Sequence, residues 1–111
     1  MQVGEKFDFK KLSIRNVDAN YILKILRSNM SIFWSWGARA FVDLNGKGLR
    51  LTVSGHHHKG HLYIVLNGAD LFDIYYCSNR GTIKDVHTDI FFDQLVEVID
   101  NKIERIADYT Y

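Results

Sequence analysis

The chain has 111 residues, of which 47% are hydrophobic and 24% charged, and its net charge is +1. These values are typical of a soluble globular domain and exclude a disordered chain, so we expect a single domain over residues 1–111. Apolar runs such as 62–66 reach only five residues, whereas a membrane-spanning helix needs about 20. We predict a cytoplasmic protein with no membrane partner, because the lone Cys77 forms no internal disulfide and residues 1–11 lack a secretion signal's apolar core.

The first third of the chain predicts an arm, a helix and an aromatic connector. Residues 5–14 are predicted to form a short strand or an ordered arm. Asn16 is a candidate N-cap for a helix over 17–29, whose apolar residues recur at helical spacing. The connector Trp34–Gly37, preceded by Phe33, either closes one end of the core or docks into a partner's pocket.

Two turn signals divide the middle of the chain into strands. Asn45–Gly46 tolerates the positive φ angles of a tight hairpin, and Asn67–Asp70 is a second turn sequence. The predicted strands are residues 38–44, 48–55, 61–67 and 71–78. We expect a four-stranded antiparallel meander, with 82–86 as a candidate for a fifth, short strand.

A final helix is predicted after a cap at Thr88 or Asp89. Its apolar positions follow the i, i+3, i+4, i+7 pattern: Phe92, Leu95, Val96, Ile99, Ile103 and Ile106. The predicted fold class is therefore α+β, an antiparallel sheet with an N-terminal and a C-terminal helix packed on one face.

Side-chain alternation assigns the two faces of this sheet. The helix-covered face is predicted to consist of Ala40, Val42, Leu44, Leu49, Leu51, Val53, Leu62, Ile64, Leu66, Phe72, Ile74 and Tyr76. The opposite face is predicted to present Arg39, Phe41, Asp43, Arg50, Thr52, His61, Tyr63, Val65, Asp73 and Tyr75. Either the N-terminal segment and the Trp connector cover this second face, or it is open to a partner.

An open face of this kind has the composition of an interface, because aromatic residues and arginine are enriched there. The predicted partner-binding residues are Trp34, Trp36, Arg39, Phe41, Arg50, Tyr63 and Tyr75. The leading hypothesis is a non-catalytic binding module whose partner is another protein or a second copy of the chain. Single-stranded nucleic acid is the alternative, since bases stack on aromatic rings and residues 1–60 carry ten basic and four acidic residues.

Catalysis has little support in the sequence. His56, His58 and His61 are weak candidates for metal ligands, and no accompanying metal motif supports them. A thiol or metal-dependent hydrolase would need Cys77 beside His61 or His87, or a Mg²⁺ site built from Asp70, Asp73, Asp85 and Asp89. No phosphate-binding glycine loop is present, so we predict no cofactor and no enzymatic activity.

Four segments carry a resemblance to a known group of proteins. They are Trp34–Gly37, His58–His61, Asp70–Tyr75 and Phe92–Asp100. Together they resemble small uncharacterised proteins of gut Bacteroidales that are associated with phage or other mobile elements, over about residues 34–105. The resemblance implies an accessory or host-interaction protein that acts by binding, and it carries over no functional residue.

Overall fold

The computed structural model describes residues 2–8, 10, 14–55 and 57–103. Its strands are β1 (Ile14–Arg15), β2 (Arg39–Asp43), β3 (Gly48–Ser54), β4 (Lys59–Asn67), β5 (Phe72–Cys77) and β6 (Ile83–Ile90). Its helices are α1 (Ala19–Leu26), α2 (Met30–Ser35) and α3 (Leu95–Ile103), with a 3-10 turn at Phe92–Gln94. All strand pairs are antiparallel, and β2 to β6 lie side by side in chain order while β1 pairs with β4. The α+β class is confirmed, and in the described residues the meander has five strands, because the candidate fifth strand at 82–86 forms and is longer than predicted, as β6.

Both predicted turns form where their sequences indicate. Asn45 and Gly46 have φ angles of 55° and 76°, and the Lys47 N–H donates to the Leu44 carbonyl across the turn. At the second turn the Asn67 side-chain oxygen accepts the N–H groups of Ala69 and Leu71. Each turn therefore relies on an asparagine that either adopts positive φ or replaces a missing backbone acceptor.

The predicted first helix is shorter than 17–29, and a second helix follows it where a connector was predicted. Asp18, rather than Asn16, caps α1 by accepting the Asn20 N–H, and the helix ends at Leu26. Asn29 then caps α2 by accepting the Ile32 N–H. A residue that favours the N-cap position competes with helix continuation, so the predicted Trp connector begins as a helix instead.

The expectation of a cap at Thr88 or Asp89 is wrong. Strand β6 continues through Ile90, and Asp89 adopts a φ of 59° at a register shift between β5 and β6. Its carboxylate accepts a hydrogen bond from Asn67 Nδ2 at 2.8 Å instead of capping a helix. Helix α3 begins at Leu95, and the predicted apolar position Ile106 lies outside the described residues.

The helices pack against one face of the sheet, as alternation predicts for β3, β4 and β5. The buried cluster on this side contains Ile22, Leu26, Trp36, Leu49, Leu51, Leu62, Ile64, Ile74, Tyr76, Leu95, Ile99 and Ile103 among others. A second, smaller cluster occupies the opposite face and consists of Leu44, Val65, Tyr75, Cys77 and Ile83. The sheet is therefore buried on both faces over its centre, and any open apolar surface has to lie at its margins.

Candidate functional site

A bulge in β2 changes which of its side chains face the helices. Arg39 pairs with Thr52, but the next pair is Val42 with Arg50, and Ala40 between them has a φ of 54°. Residues that pair across strands share a face, so Val42 lies on the face of Arg50. The prediction that Val42 and Leu44 face the helices is wrong, because the inserted residue inverts the alternation that follows it.

Phe41 is turned toward the helices by the same bulge. Its ring stacks against Phe33 of α2 with a centroid distance of 6.0 Å and an interplanar angle of 15°. Phe41 is still 37% exposed, since β2 lies at the edge of the sheet. The predicted partner-binding ring is accessible, but on the face opposite to the one that alternation assigned.

A groove lies between α2 and β2. Its lining includes Arg27, Met30, Phe33, Trp34, Arg39 and Phe41, and its volume is about 560 Å³. Trp34 is 73% exposed and Met30 is 46% exposed at its rim. Large apolar side chains held at the surface around a concave site are typical of an interaction surface.

Two arginines flank this groove, and both guanidinium groups are available to a ligand. The Arg27 guanidinium lies 5.9 Å from the ring centroids of both Phe33 and Phe41, and Arg39 Nη1 donates to the Gly37 carbonyl at 3.2 Å. Among the described residues no carboxylate forms an ion pair with Arg27 or Arg39. The groove therefore combines aromatic walls with positive charge that the described chain does not neutralise.

Trp36 belongs to the core and not to the binding surface that the sequence predicted. It is fully buried as the C-cap of α2, with its ring edge-on to Phe33. Its indole N–H donates to Asp100 Oδ1 of α3 at 3.1 Å. Of the two tryptophans, one closes the core and the other projects from it.

The N-terminal arm, residues 2–8, covers the tyrosines on the opposite face. Phe7 stacks on Tyr63 with a centroid distance of 4.0 Å and lies 4.9 Å from the ring of Tyr75. Backbone hydrogen bonds from Phe7 N–H to the Gly81 carbonyl and from Ile83 N–H to the Glu5 carbonyl fasten the arm. Tyr75 is only 5% exposed, so the prediction that Tyr63 and Tyr75 form an open platform is wrong. The alternative, that the N-terminal segment covers this face, is correct for these two rings.

Arg50 stands beside this covered platform and away from the groove. It pairs with Tyr63 across β3 and β4. Its Nε is buried without a hydrogen-bond partner among the described residues. Arg50 is therefore not joined with Trp34, Arg39 and Phe41, which the structure does bring together.

The described histidines do not converge on a metal site. The ring of His58 packs edge-on against Tyr76 on the helix side, with a centroid distance of 5.8 Å. His61 Nδ1 lies 3.1 Å from Thr52 Oγ1, and Thr52 pairs with Arg39 on the other face. Across residues 2–8, 10, 14–55 and 57–103, no three His, Cys, Asp or Glu side chains are arranged to hold a metal ion. His56 lies outside the described residues.

The thiol alternative has no accessible nucleophile. Cys77 is fully buried, and burial raises the pKa of its thiol to about 12. The thiolate is the reactive form, so the thiol stays protonated at neutral pH. His87, one proposed base, instead places Nδ1 3.1 Å from the Tyr76 hydroxyl.

The four aspartates proposed as a Mg²⁺ site do not converge, and only Asp73 and Asp89 share a partner. Asp73 and Asp89 both accept hydrogen bonds from Asn67 Nδ2, and Asp70 pairs with Arg15. Asp85 pairs with Lys102, and the hydrogen bond from Lys102 lowers the pKa of that carboxyl. Each carboxylate is thus explained by a partner within the fold.

Acid is expected to destabilise the fold through His58 and His61. Desolvation is the main cause that lowers the pKa of each ring, with Arg50 adding to the effect at His61. An unfolded histidine takes up a proton near pH 6.5, whereas these folded rings do so only at lower pH. Unfolding therefore binds protons, and the free energy of unfolding falls as pH drops below about 6.5.

Urea unfolding midpoints at pH 7.5 and 5.5 would measure this effect. We expect His58→Gln to reduce the difference between the two pH values, because glutamine does not titrate. A variant that keeps the full wild-type pH dependence would show that His58 does not contribute.

Two groove residues, Arg27 and Met30, were missed at the level of sequence. A signal was present, since Met30, Phe33 and Trp34 have the i, i+3, i+4 spacing of one helix face. The short helix α2 displays this stripe with Phe33 buried and its neighbours at the surface. The interpretation of Trp34–Gly37 as a connector concealed the pattern.

Comparisons with family models, with curated proteins and with solved structures found no match. Among the described helices, none combines the length and the apolar composition that a membrane span requires.

Proposed function

We propose that this protein is a non-catalytic binding module that recognises another protein through the groove between α2 and β2. One observation carries the proposal: Trp34 projects into solvent at 73% exposure beside a groove already walled by Phe33 and Phe41. Tryptophan, tyrosine and arginine dominate the binding energy of protein interfaces. The module would act in the cytoplasm, and the resemblance to mobile-element proteins would make the partner a host component.

A different protein is favoured over a second copy of the same chain. A symmetric pairing through the groove would bring Arg27 and Arg39 of one copy near the same residues of the other. Like charges that meet in an interface oppose association. An acidic partner instead neutralises both guanidinium groups, so the charges of the groove favour a heterologous complex.

Single-stranded nucleic acid is the less favoured ligand. Stacking platforms for bases need rings with free faces, and Phe7 covers Tyr63 and Tyr75. The positive charge of the groove is compatible with phosphate. Its apolar walls, however, suit an inserted protein side chain better than the polar sugar-phosphate backbone of a nucleic acid. Nucleic-acid binding is therefore an outcome to be tested and not the proposal.

Site-specific photocrosslinking in native cells tests the proposed function. A benzophenone amino acid replaces Met30 at the groove, and in a control protein it replaces the exposed Lys84 of β6. We expect one protein species to crosslink at position 30 only. That species is then identified and purified. We expect it to bind the Trp34→Ala variant about 30-fold or more weakly than wild type, which is the effect of removing an interface hot spot.

Two results would overturn the proposal. One is an identical set of crosslinks at positions 30 and 84, which would indicate random encounters. The other is salt-sensitive binding of an oligothymidylate that Trp34→Ala abolishes, which would assign the groove to nucleic acid.

A further inference from the structure

The groove borders an open edge of the sheet. Strand β2 is terminal in the order β2-β3-β4-β5-β6, and all five of its residues are exposed. Within the described residues no strand pairs with its outer side. In an antiparallel ladder alternate residues direct their N–H and C=O groups to opposite sides of the strand. Strand β2 therefore presents unpaired backbone groups along the same edge that carries Phe41.

The bulge at Ala40 connects this edge to the groove. Without it, Phe41 would share the face of Arg50 and would point away from Phe33. With it, Phe41 reaches Phe33 and forms one wall of the site. Bulges at sheet edges commonly re-aim a side chain, and this one turns the edge strand into the rim of an apolar site.

We propose that the partner binds as an extended segment that adds a strand to the outer edge of β2 and places an apolar side chain in the groove. This inference rests on the proposed function and specifies the form of the ligand. Backbone hydrogen bonds to β2 supply affinity in this mode, and the groove supplies specificity. Alternate side chains of an added strand point toward the helix side, where Met30, Phe33 and Trp34 lie.

The positive charge beside the groove determines which residues the bound segment can carry. Arg27 and Arg39 flank the groove without an ion-pair partner among the described residues. In an extended segment, an acidic residue next to the inserted side chain points to the face of Arg39, and one two positions away points to the helix side, where Arg27 lies. Lysine at these positions is repelled. The partner segment is therefore an extended peptide in which an aromatic or aliphatic residue is flanked by aspartate or glutamate.

The same charges restrict unwanted pairing of this edge. Charged side chains and bulges are common means by which edge strands avoid joining other sheets. Arg39 and Asp43 lie at the two ends of β2, and the bulge breaks its regular register. Favourable binding to this edge therefore requires a strand whose backbone follows the bulge and whose side chains complement the charges of β2.

Synthetic peptides test the inference directly on the whole protein. The probe is a capped peptide of about six residues in which one phenylalanine is flanked by threonine and glutamate, and the control replaces each glutamate by lysine. Binding is followed by amide chemical shifts of β2 and by the indole signals of Trp34. We expect the acidic probe to bind at least about tenfold more tightly than the lysine control.

Backbone N-methylation then separates strand addition from side-chain docking alone. Each methylation removes one N–H donor of the peptide. We expect the affinity of the peptide to fall about tenfold when alternate residues are methylated and to change little when the residues between them are methylated. Arg39→Glu should abolish the preference for the acidic probe, and Lys84→Glu should keep it. These results together would support strand addition.

Three results would overturn strand addition. N-methylation could lower the affinity equally at every position, or the chemical-shift changes could fall outside β2. The third is equal affinity for the acidic and lysine peptides. The proposed function would survive such a result if position 30 still crosslinks its partner specifically. Crosslinks at position 30 that are identical to those at position 84 would instead remove the proposed function itself. The two failures are thus distinguishable.

Discussion

Replacing Gly60 by alanine is expected to lower the free energy of unfolding by about 3 kcal/mol or more, because strain and overpacking each cost about 1–3 kcal/mol. Gly60 has a φ of 151° inside β4. A Cβ placed there would lie 2.3 Å from the Cys77 carbonyl oxygen. That oxygen is backbone of the neighbouring strand, so relief would require β4 and β5 to move apart.

Gly68→Ala is the matched control. Gly68 lies in the turn after β4, and a Cβ there would have no heavy atom within 4 Å. Thermal unfolding followed by circular dichroism measures both variants. We expect Gly60→Ala to lower Tm by about 10 °C or more, given a shift of about 4–8 °C per kcal/mol for domains of similar size. Equal melting temperatures for the two variants would show that the strands accommodate the extra carbon.

Local sequence signals predict most of the fold. The turns at Asn45–Gly46 and Asn67–Asp70 form because asparagine and glycine accept backbone conformations or hydrogen bonds that other residues resist. The alternation in β3, β4 and β5 and the helical spacing of Leu95, Ile99 and Ile103 identify the main core. These features depend on neighbours within a few positions of the sequence.

Two of the register shifts in the described sheet, those beside Ala40 and Asp89, leave no local sequence signal. Ala40 and Asp89 both adopt positive φ, a conformation that is uncommon outside glycine and that aspartate adopts more often than alanine does. Packing of the whole strand against its neighbour outweighs this cost. Alternation read along 39–43 therefore assigns the right period but the wrong face beyond the bulge.

Only part of the candidate site was predicted, because local signals cover only part of it. Trp34, Arg39 and Phe41 do come together, since each lies near the junction of α2 with β2. Tyr63 and Tyr75 do not join them, because Phe7 reaches across the sheet from more than fifty positions away in the sequence. A contact so remote in sequence leaves no periodic pattern that could have been recognised.

Replacing Trp36 by alanine is expected to reduce stability by about 3–5 kcal/mol, the usual cost of removing a fully buried tryptophan. The change would empty the space between α2 and α3 and remove the donor that binds Asp100 Oδ1. Trp36→Phe should lose less, since the ring still fills part of the site while the N–H is gone. Urea unfolding at neutral pH measures both variants.

Trp34→Ala is the contrasting variant, because it removes the same side chain two positions earlier. Trp34 is mostly exposed, and a surface substitution usually changes stability by no more than about 0.5 kcal/mol. We expect Trp34→Ala to have the same urea midpoint as wild type. We also expect it to lose binding to the partner protein that crosslinks at position 30. Comparable destabilisation by the two alanine variants would mean that Trp34 also supports the core, and its exposure would then no longer point to a ligand. The tryptophan pair thus separates what holds the domain together from what it presents to a partner.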